Sequence, residues 1–151
     1  MPTITSIEGL MAVCAPAIQS ALKYTVEKIR EKNEQVVNQI VYAIYQPQKY
    51  PRTFELRDAW KDEVESSGAH GRAIFEYDPS KISAHSDLTG EAVPYLAEIV
   101  YHGLAGYLYG EGVWTQARDA WQALLNACGE ETIAEWFYQG CRQAGLPIER
   151  V

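Results

Sequence analysis

The sequence predicts an α+β fold in which a long N-terminal helix is followed by a small antiparallel β-sheet packed with further helices. The first observation is a stretch from Pro16 to Tyr45 that contains no helix breaker and repeats apolar residues at helical intervals. The second is a pair of segments, residues 60–65 and 72–78, that alternate in polarity around the turn-like sequence "SSGAHG". The third is a pair of amphipathic segments on either side of Gly129.

Two helices are expected at the N-terminus. Thr5 and Glu8 have the spacing of a capping box, so a short helix should begin there and end near Cys14. Pro16 suits the first turn of a second helix, because its missing N–H costs little at that position. This second helix is expected to continue to about Tyr45.

The second helix is long for a body of this size. About thirty residues span about 45 Å, whereas a compact chain of 151 residues has a diameter of about 40 Å. The charged stretch "EKIREKNEQ" is expected to face solvent, with only Ile29 pointing inward. One end of the helix should therefore overhang its own domain, and an overhanging apolar stripe favours an oligomer in which a neighbour covers it.

A corner is expected after this helix. Pro47 and Pro51 prevent the helix from continuing and bias the residues before them toward extended geometry. The sequence "TFELRDA" can form one helical turn with Thr53 as its cap. Arg52 is a charged group in the corner, and its planar fork could pair with Asp78 or accept a carboxylate from another subunit.

A β-hairpin should follow the corner. Its strands are "WKDEVE" and "RAIFEYD", and its turn is "SSGAHG", which contains His70. The first segment also fits a helix through Leu56, Trp60 and Val64, so that alternative stays open.

The last third is expected to be mainly helical. A helix should cover residues 92–102, and the glycine-rich "GLAGYLYGEG" should be irregular. The segments "WTQARDAWQALLNAC" and "ETIAEWFYQGCRQA" predict two more helices, and the extended tail "LPIERV" is a candidate third strand. We expect a single domain over residues 1–151, with an N-terminal helical part, a corner with the hairpin, and a helical part with a short tail, at 1–45, 46–90 and 91–151.

Charge and cysteine content limit the function classes. A net charge of −7 argues against wrapping nucleic acid, which needs clustered Lys and Arg, although DNA could pass an acidic wall without being held. Cys14, Cys128 and Cys141 have no CxxC spacing and indicate reduced thiols in an intracellular compartment. The N-terminus has neither a basic region nor an apolar run of signal-peptide or membrane length, so we expect no membrane partner.

The sequence contains no motif that predicts catalysis. It lacks a P-loop, a GxSxG motif and a dinucleotide-binding glycine motif followed by an acidic residue. His85, Asp87 and His102 could support a small metal-dependent hydrolase, but they lack helical ligand spacing. We therefore expect no catalytic residue, no metal and no cofactor. The hydrolase and a cellular adaptor that docks a partner helix remain the alternatives.

Aromatic residues gather in two places. Tyr42, Tyr45 and Tyr50 cluster at the corner, and further tyrosines surround the glycine-rich stretch. Core packing and an interface role are both open for these rings, because aromatic side chains bury much area in either setting. Tyr107 and Tyr109, which glycines flank, are interface candidates.

The order of these segments resembles the small neck proteins of tailed phages, which are minor capsid, tail-completion or head–tail connector proteins. The matching segments are "VYAIYQPQKYPRT", "FELRDAW", "FEYDP" and "YLAEIVYHG", over roughly Val26 to Gly103. The corner follows a Y-x-P-x-x-Y-x-R-T-like pattern, although Phe54 stands where that family often has glycine. The residues that the resemblance places in the corner and in the second helix with its stop are Tyr45, Pro47, Tyr50, Arg52, Thr53 and Leu56, and Tyr95, Ile99 and Gly103.

The resemblance implies a structural protein without turnover. Copies would form a homo-oligomeric ring at the head–tail junction, as a tail-completion, tail-terminator or neck protein. The ring would contact the connector or stopper on one side and the tail tube on the other, and DNA would pass through its lumen without specific binding. Its location would be the virion, assembled in the bacterial host cytoplasm.

Overall fold

The computed structural model describes residues 5–44, 54–67, 70–82, 96–103 and 116–149, and it confirms the α+β class. Strands β1 and β2 form a two-stranded antiparallel sheet, and residues 146–149 of the tail form no strand. The elements in chain order are α1 (Ile7–Val37), a π-helical turn (Asn38–Tyr42), α2 (Glu55–Asp58), β1 (Trp60–Ser67), β2 (His70–Tyr77), a 3-10 turn (Pro79–Lys81), α3 (Leu96–His102), α4 (Ala120–Ala127) and α5 (Glu130–Gln143).

The chain divides into two compact units. The first contains Met1–Arg30, Asp62–Phe75 and Cys128–Val151, and the second contains Glu31–Lys61 and Glu76–Ala127. We call them unit 1 and unit 2.

The prediction of two separate N-terminal helices is wrong, because α1 is one helix of 31 residues that passes through Pro16. Its start is capped by Ser6, whose Oγ accepts a hydrogen bond from the Gly9 N–H (3.1 Å), and not by Thr5. Because Pro16 has no backbone N–H, the Ala12 carbonyl loses its hydrogen bond within the helix. Ala12 and Pro16 both lie at exposed positions, where water can serve that carbonyl, so the helix continues.

The far end of the long helix also differs from the prediction. The α-helical geometry ends at Val37, and a π-helical turn ends at Tyr42, before the predicted end at Tyr45. A hydrogen bond from the Ala43 N–H to the Asn38 carbonyl (2.8 Å) marks the wider π geometry, which side-chain periodicity does not distinguish from an α-helix.

The expectation that only Ile29 faces inward from the charged stretch is wrong. Asn33 is 2% exposed, whereas Ile29 is only half-buried. Asn33 lies one helical turn before Val37, which is fully buried, so both side chains lie on one face. Position on the helix therefore outweighs polarity at this residue.

Unit 1 is held by a close approach of α1 and α5. A Cβ added to Gly140 would lie 2.8 Å from the Ala21 Cα, and Ala21 itself is fully buried. The Tyr24 hydroxyl donates to Gln139 Oε1 nearby (3.4 Å). On the sheet side, a Cβ on Gly71 of β2 would meet the side chain of Leu22. Small residues thus let α5 and β2 lie directly against α1.

Unit 2 contains a continuous apolar core. Its buried members are Val36, Val37, Val41, Leu56, Ala59, Ile82, Ala97, Val100, Tyr101 and Ala120. Trp60 of β1 is also buried in unit 2, at 5% exposed, and stacks on Trp121 of α4 with ring centroids 5.5 Å apart. The Trp60 indole N–H donates to the Leu56 carbonyl (3.3 Å), and the ring meets Tyr77 edge-on at 5.6 Å.

The end of the corner has a strained backbone. Phe54, which precedes α2, has φ +58°, the left-handed region that favours glycine. Phe54 takes the N-cap position of α2 without a side-chain capping hydrogen bond, and the predicted cap, Thr53, lies outside the described residues. Its ring meets Tyr42 edge-on at 5.1 Å, and the Arg57 guanidinium lies 4.8 Å from the ring centroid. These contacts hold the bulky Phe54 in a conformation that favours glycine.

The hairpin is confirmed, and its strands are longer than predicted. Ser66 and Ser67 extend β1, and His70 begins β2 instead of occupying the turn. Lys61 and Glu76 form an ion pair across the strands (2.9 Å), while Arg30 of α1 pairs with Asp62. The added residues, 66–67 and 70–71, are all exposed, so backbone pairing between the two strands, and not burial, extends the hairpin into the predicted turn.

Helix α4 begins later than predicted, at Ala120, because Asp119 acts as its N-cap. Its carboxylate accepts from the Gln122 N–H (2.8 Å). Helix α5 closely follows its predicted range. It ends in a glycine motif in which Gly145 has φ +84° and the Leu146 N–H donates to the Cys141 carbonyl (3.0 Å).

Candidate functional site

The first candidate surface lies on the first two turns of α1. Ile7 is 72% exposed, and Leu10, Met11 and Val13 are also exposed. We call these four residues the α1 patch. The only charged residue in this part of the helix is Glu8. The patch therefore presents apolar surface with little charge around it.

The α1 patch continues a face that is buried farther along the helix. Leu10 lies seven residues before Ala17, and Ile7 lies fourteen before Ala21, so these residues share one face of the helix. Ala17 and Ala21 are buried within unit 1. The same apolar stripe is thus covered at Ala21 and uncovered at Ile7. Such a surface typically marks an interaction site.

The second candidate surface lies on α4 in unit 2. Trp121 is 39% exposed and Leu125 is 47% exposed, and their spacing of four residues makes them neighbours on the helix. We call this pair the α4 patch. Helix α4 contains no charged residue. One face of the Trp121 indole stacks on buried Trp60, so the ring is held rigidly in place.

Most residues that the sequence predicted for an interface lie outside the described ranges. Of those that are described, Leu56 is buried in the core of unit 2 and Ile99 packs partly against it. Gly103 follows α3 with φ +75°, and its N–H donates to the Ile99 carbonyl (2.9 Å). The predicted members about which the structure gives no information are Tyr45, Pro47, Tyr50, Arg52, Thr53, Tyr95, Tyr107 and Tyr109.

The sequence interpretation missed both patches. It assigned the first turns of α1 to a separate helix and left the role of the tryptophans open. The available signal was the near absence of charge from Ile7 to Leu22 and from Ala120 to Ala127, each within an amphipathic helix.

The described ranges contain no group of three or more His, Cys, Asp or Glu side chains placed to hold a metal ion. Of the alternative hydrolase triad only His102 is described, at the exposed end of α3. Over these ranges no helix has the length and apolar character needed to span a membrane.

The ionisable groups around the corner and the helices serve local structure. Asp78 accepts hydrogen bonds from the Ser80 hydroxyl (2.5 Å) and from the Ser80 N–H (3.1 Å), which caps the 3-10 turn. These two contacts, the hydroxyl first, lower the pKa of the Asp78 carboxyl. Cys14 and Cys128 are half-buried, and burial raises the pKa of the Cys141 thiol. A buried thiol with a raised pKa is a poor nucleophile.

Tyr101 of unit 2 carries a buried polar atom that is not hydrogen-bonded to any described residue. It is 8% exposed, and its buried hydroxyl has no hydrogen-bond partner among the described residues. Burial raises the pKa of this phenol well above its ordinary value of 10.0. The folded chain therefore keeps the Tyr101 proton at pH values where the unfolded chain releases it, and stability falls as pH rises above about 10.

Removing the Tyr101 hydroxyl should stabilise the protein. We expect Tyr101→Phe to raise the free energy of unfolding by about 1 kcal/mol at pH 7, because a buried hydroxyl without a partner costs desolvation energy. The variant should also lose less stability than the parent between pH 9 and pH 11. Urea unfolding at both ends of this range measures the effect.

Tyr77→Phe is the matched control for this prediction. The Tyr77 hydroxyl is hydrogen-bonded to the backbone of Ala97, so removing it should destabilise by about 1 kcal/mol. Destabilisation of both variants to a similar extent would contradict the assignment of Tyr101 as the unsatisfied group.

Comparison with known proteins gives one match. Residues 6–142 of the chain match the YomN family, which is nearly the whole sequence. No curated protein and no solved structure matches the chain. YomN is a Bacillus phage-type family, and the match indicates a phage-derived protein. The chain, with its long first helix and its apolar surfaces at two separate places, belongs to the YomN family.

Proposed function

We propose that this chain is a structural virion protein that forms a ring at the phage head–tail junction. As a tail-completion, tail-terminator or neck protein, it joins the connector to the tail and lets DNA pass. The observation that carries this proposal is the α1 patch, an apolar helical surface without cover in a chain of a phage-type family.

The size of the α1 patch favours assembly through several contacts. Fully burying one aliphatic side chain stabilises by about 1.5–3 kcal/mol, so covering the exposed fractions of these four contributes about 3–6 kcal/mol. Association of two proteins costs about 4 kcal/mol or more in lost freedom of motion. This patch alone therefore holds a partner weakly. A ring suits such a contact, because closure and docking on the connector add further contacts.

The charge of the chain fits passage of DNA. A net charge of −7 repels phosphate, so a lumen lined by carboxylates would let DNA slide without being held.

Disrupting the gene in the phage that encodes it tests the proposal. A stop codon early in the gene should yield DNA-filled heads and complete tails that are not joined, as seen by negative-stain electron microscopy. Expression of the intact chain from a plasmid should restore joined particles. Joined, infectious particles that lack the chain would contradict the proposed function.

Purified protein tests the two alternatives. Metal bound in stoichiometric amount, measured by mass spectrometry, would favour the hydrolase with His85, Asp87 and His102. A defined complex with a cellular protein would favour the adaptor. A structural virion protein should show neither.

A further inference from the structure

We infer that neighbouring copies of this chain contact one another head to tail, with the α1 patch of one copy packing on the α4 patch of the next. This inference rests on the proposed function and names the partner of each patch. It commits to a second copy of this chain as the occupant of both surfaces.

Ring symmetry requires two different surfaces. A two-fold dimer joins one patch to the same patch on its partner, whereas a closed ring joins one patch to a different patch on the next copy. The α1 patch belongs to unit 1 and the α4 patch to unit 2. The chain thus carries the pair of separate apolar surfaces that a head-to-tail contact needs.

Charge favours a contact between these two surfaces. Each copy carries a net charge of −7, so two copies repel one another over most of their surfaces. Helix α4 has no charged residue, and the α1 patch has only Glu8 beside it. Two acidic copies can approach most closely where neither presents carboxylates. The α4 patch meets this condition, and the α1 patch meets it apart from Glu8.

The form of the two patches is also complementary. The α4 patch presents a rigid aromatic ring, since Trp121 is held by its stack on Trp60. The α1 patch presents flexible aliphatic side chains, including Met11, which adapt to such a ring. Aromatic rings that enter an aliphatic surface are frequent anchors of protein interfaces.

Because the patches are small, the contact between two copies depends on closure of the ring for its stability. The α1 patch offers on the order of 200 Å² of apolar surface, whereas stable pairwise interfaces bury about 1,200–2,000 Å² in total. Each single contact is therefore weak, and linking many copies in a ring raises the effective concentration at every contact.

Cysteine crosslinking tests the head-to-tail contact. Leu10→Cys and Leu125→Cys are introduced singly and together, in a background with Cys14→Ala and Cys128→Ala, and a short bismaleimide joins nearby thiols. The native Cys141 stays, because it is 2% exposed. The double variant should give a ladder of crosslinked multimers on denaturing gels. A mixture of the two single variants should give dimers only, and each single variant alone should give none.

Lys23→Cys combined with Leu125→Cys is the matched control. Lys23 is exposed on the same helix but outside the α1 patch, so this pair should give no ladder. The reaction is carried out on the purified chain at high concentration and on assembled particles. Dimers from Leu10→Cys alone would show a two-fold contact and overturn the inference. Absence of a ladder from the double variant in both samples would also overturn it.

The failure of this inference is distinguishable from the failure of the proposed function. If the double variant gives a ladder but the gene is dispensable for head–tail joining, the contact is supported and the proposed function is wrong. If gene disruption gives unjoined heads and tails but the double variant gives no ladder, the proposed function is supported and the head-to-tail contact is wrong.

Discussion

Replacing Trp60 by alanine is expected to lower the free energy of unfolding by about 4 kcal/mol, since truncating a buried aromatic residue leaves a cavity that the core fills only partly. Trp60 is 5% exposed, stacks on Trp121 and meets Tyr77 edge-on. In the variant the Leu56 carbonyl also loses the indole N–H as its donor. Urea unfolding followed by circular dichroism measures the change without depending on tryptophan fluorescence.

Trp121→Ala is the control for this prediction. Trp121 contributes the other half of the stack but is 39% exposed, so we expect it to lose only about 1–2 kcal/mol. Equal losses from the two alanine variants would contradict the deeper burial of Trp60. If Trp60→Ala does not fold, Trp60→Phe still tests the point. It should lose about 2 kcal/mol, because it keeps a ring but not the indole N–H.

Replacing Gly140 by alanine is expected to destabilise the protein by about 2–3 kcal/mol, since overpacking at a close contact forces the backbone apart. The new Cβ would lie 2.8 Å from the Ala21 Cα and 3.1 Å from the Ala21 carbonyl oxygen. Helix propensity alone predicts a gain of about 1 kcal/mol from the same change. Steric contact wins here because the atoms in the way belong to the backbone of α1 and cannot rotate aside.

Gly129→Ala is the control for Gly140→Ala. No atom lies within 4 Å of a Cβ at Gly129, and the residue precedes α5, so we expect a change smaller than about 1 kcal/mol. Ala21→Gly should rescue Gly140→Ala only in part, because it removes a side chain and leaves the closer backbone atoms in place. A higher melting temperature for Gly140→Ala would contradict the close approach of α1 and α5.

Local sequence patterns were sufficient to predict the elements in which apolar residues recur with the period of a strand or of a helix. The alternation from Trp60 to Glu65 predicted β1, and the amphipathic spacing after Gly129 predicted α5. These segments succeed because each has one face toward a core and one toward solvent.

The features that decide packing depend on contacts distant in the sequence. Pro16 predicted a helix start, yet exposure on one side of α1 lets the helix pass through it. The close approach of Gly140 to Ala21 joins residues more than a hundred positions apart, so neither looks special alone. The left-handed Phe54 depends on the rings and the guanidinium around it. Tertiary contacts override local propensity at each of these places.

The candidate site could be predicted from the sequence only in part. The long helix is confirmed, whereas its overhang past the domain stays a prediction. The structure locates the exposed stripe at Ile7 to Val13, before the predicted start at Pro16. Trp121 and Leu125 form a second surface that could be recognised only after the buried face of α4 was known. Burial in the structure distinguishes interface candidates from core residues of the same type, whereas sequence composition cannot distinguish them.

The central claim is that the apolar stripe at the start of α1 is covered by a neighbouring copy in the assembled particle. Cryo-electron microscopy of joined phage particles, focused on the head–tail junction, tests it most directly. We expect a ring of this chain at the junction. In this ring, the side chains of Ile7, Leu10 and Met11 of each copy should be buried against the next copy. A junction that lacks the chain, or one in which its own chain covers this stripe completely, would contradict the claim.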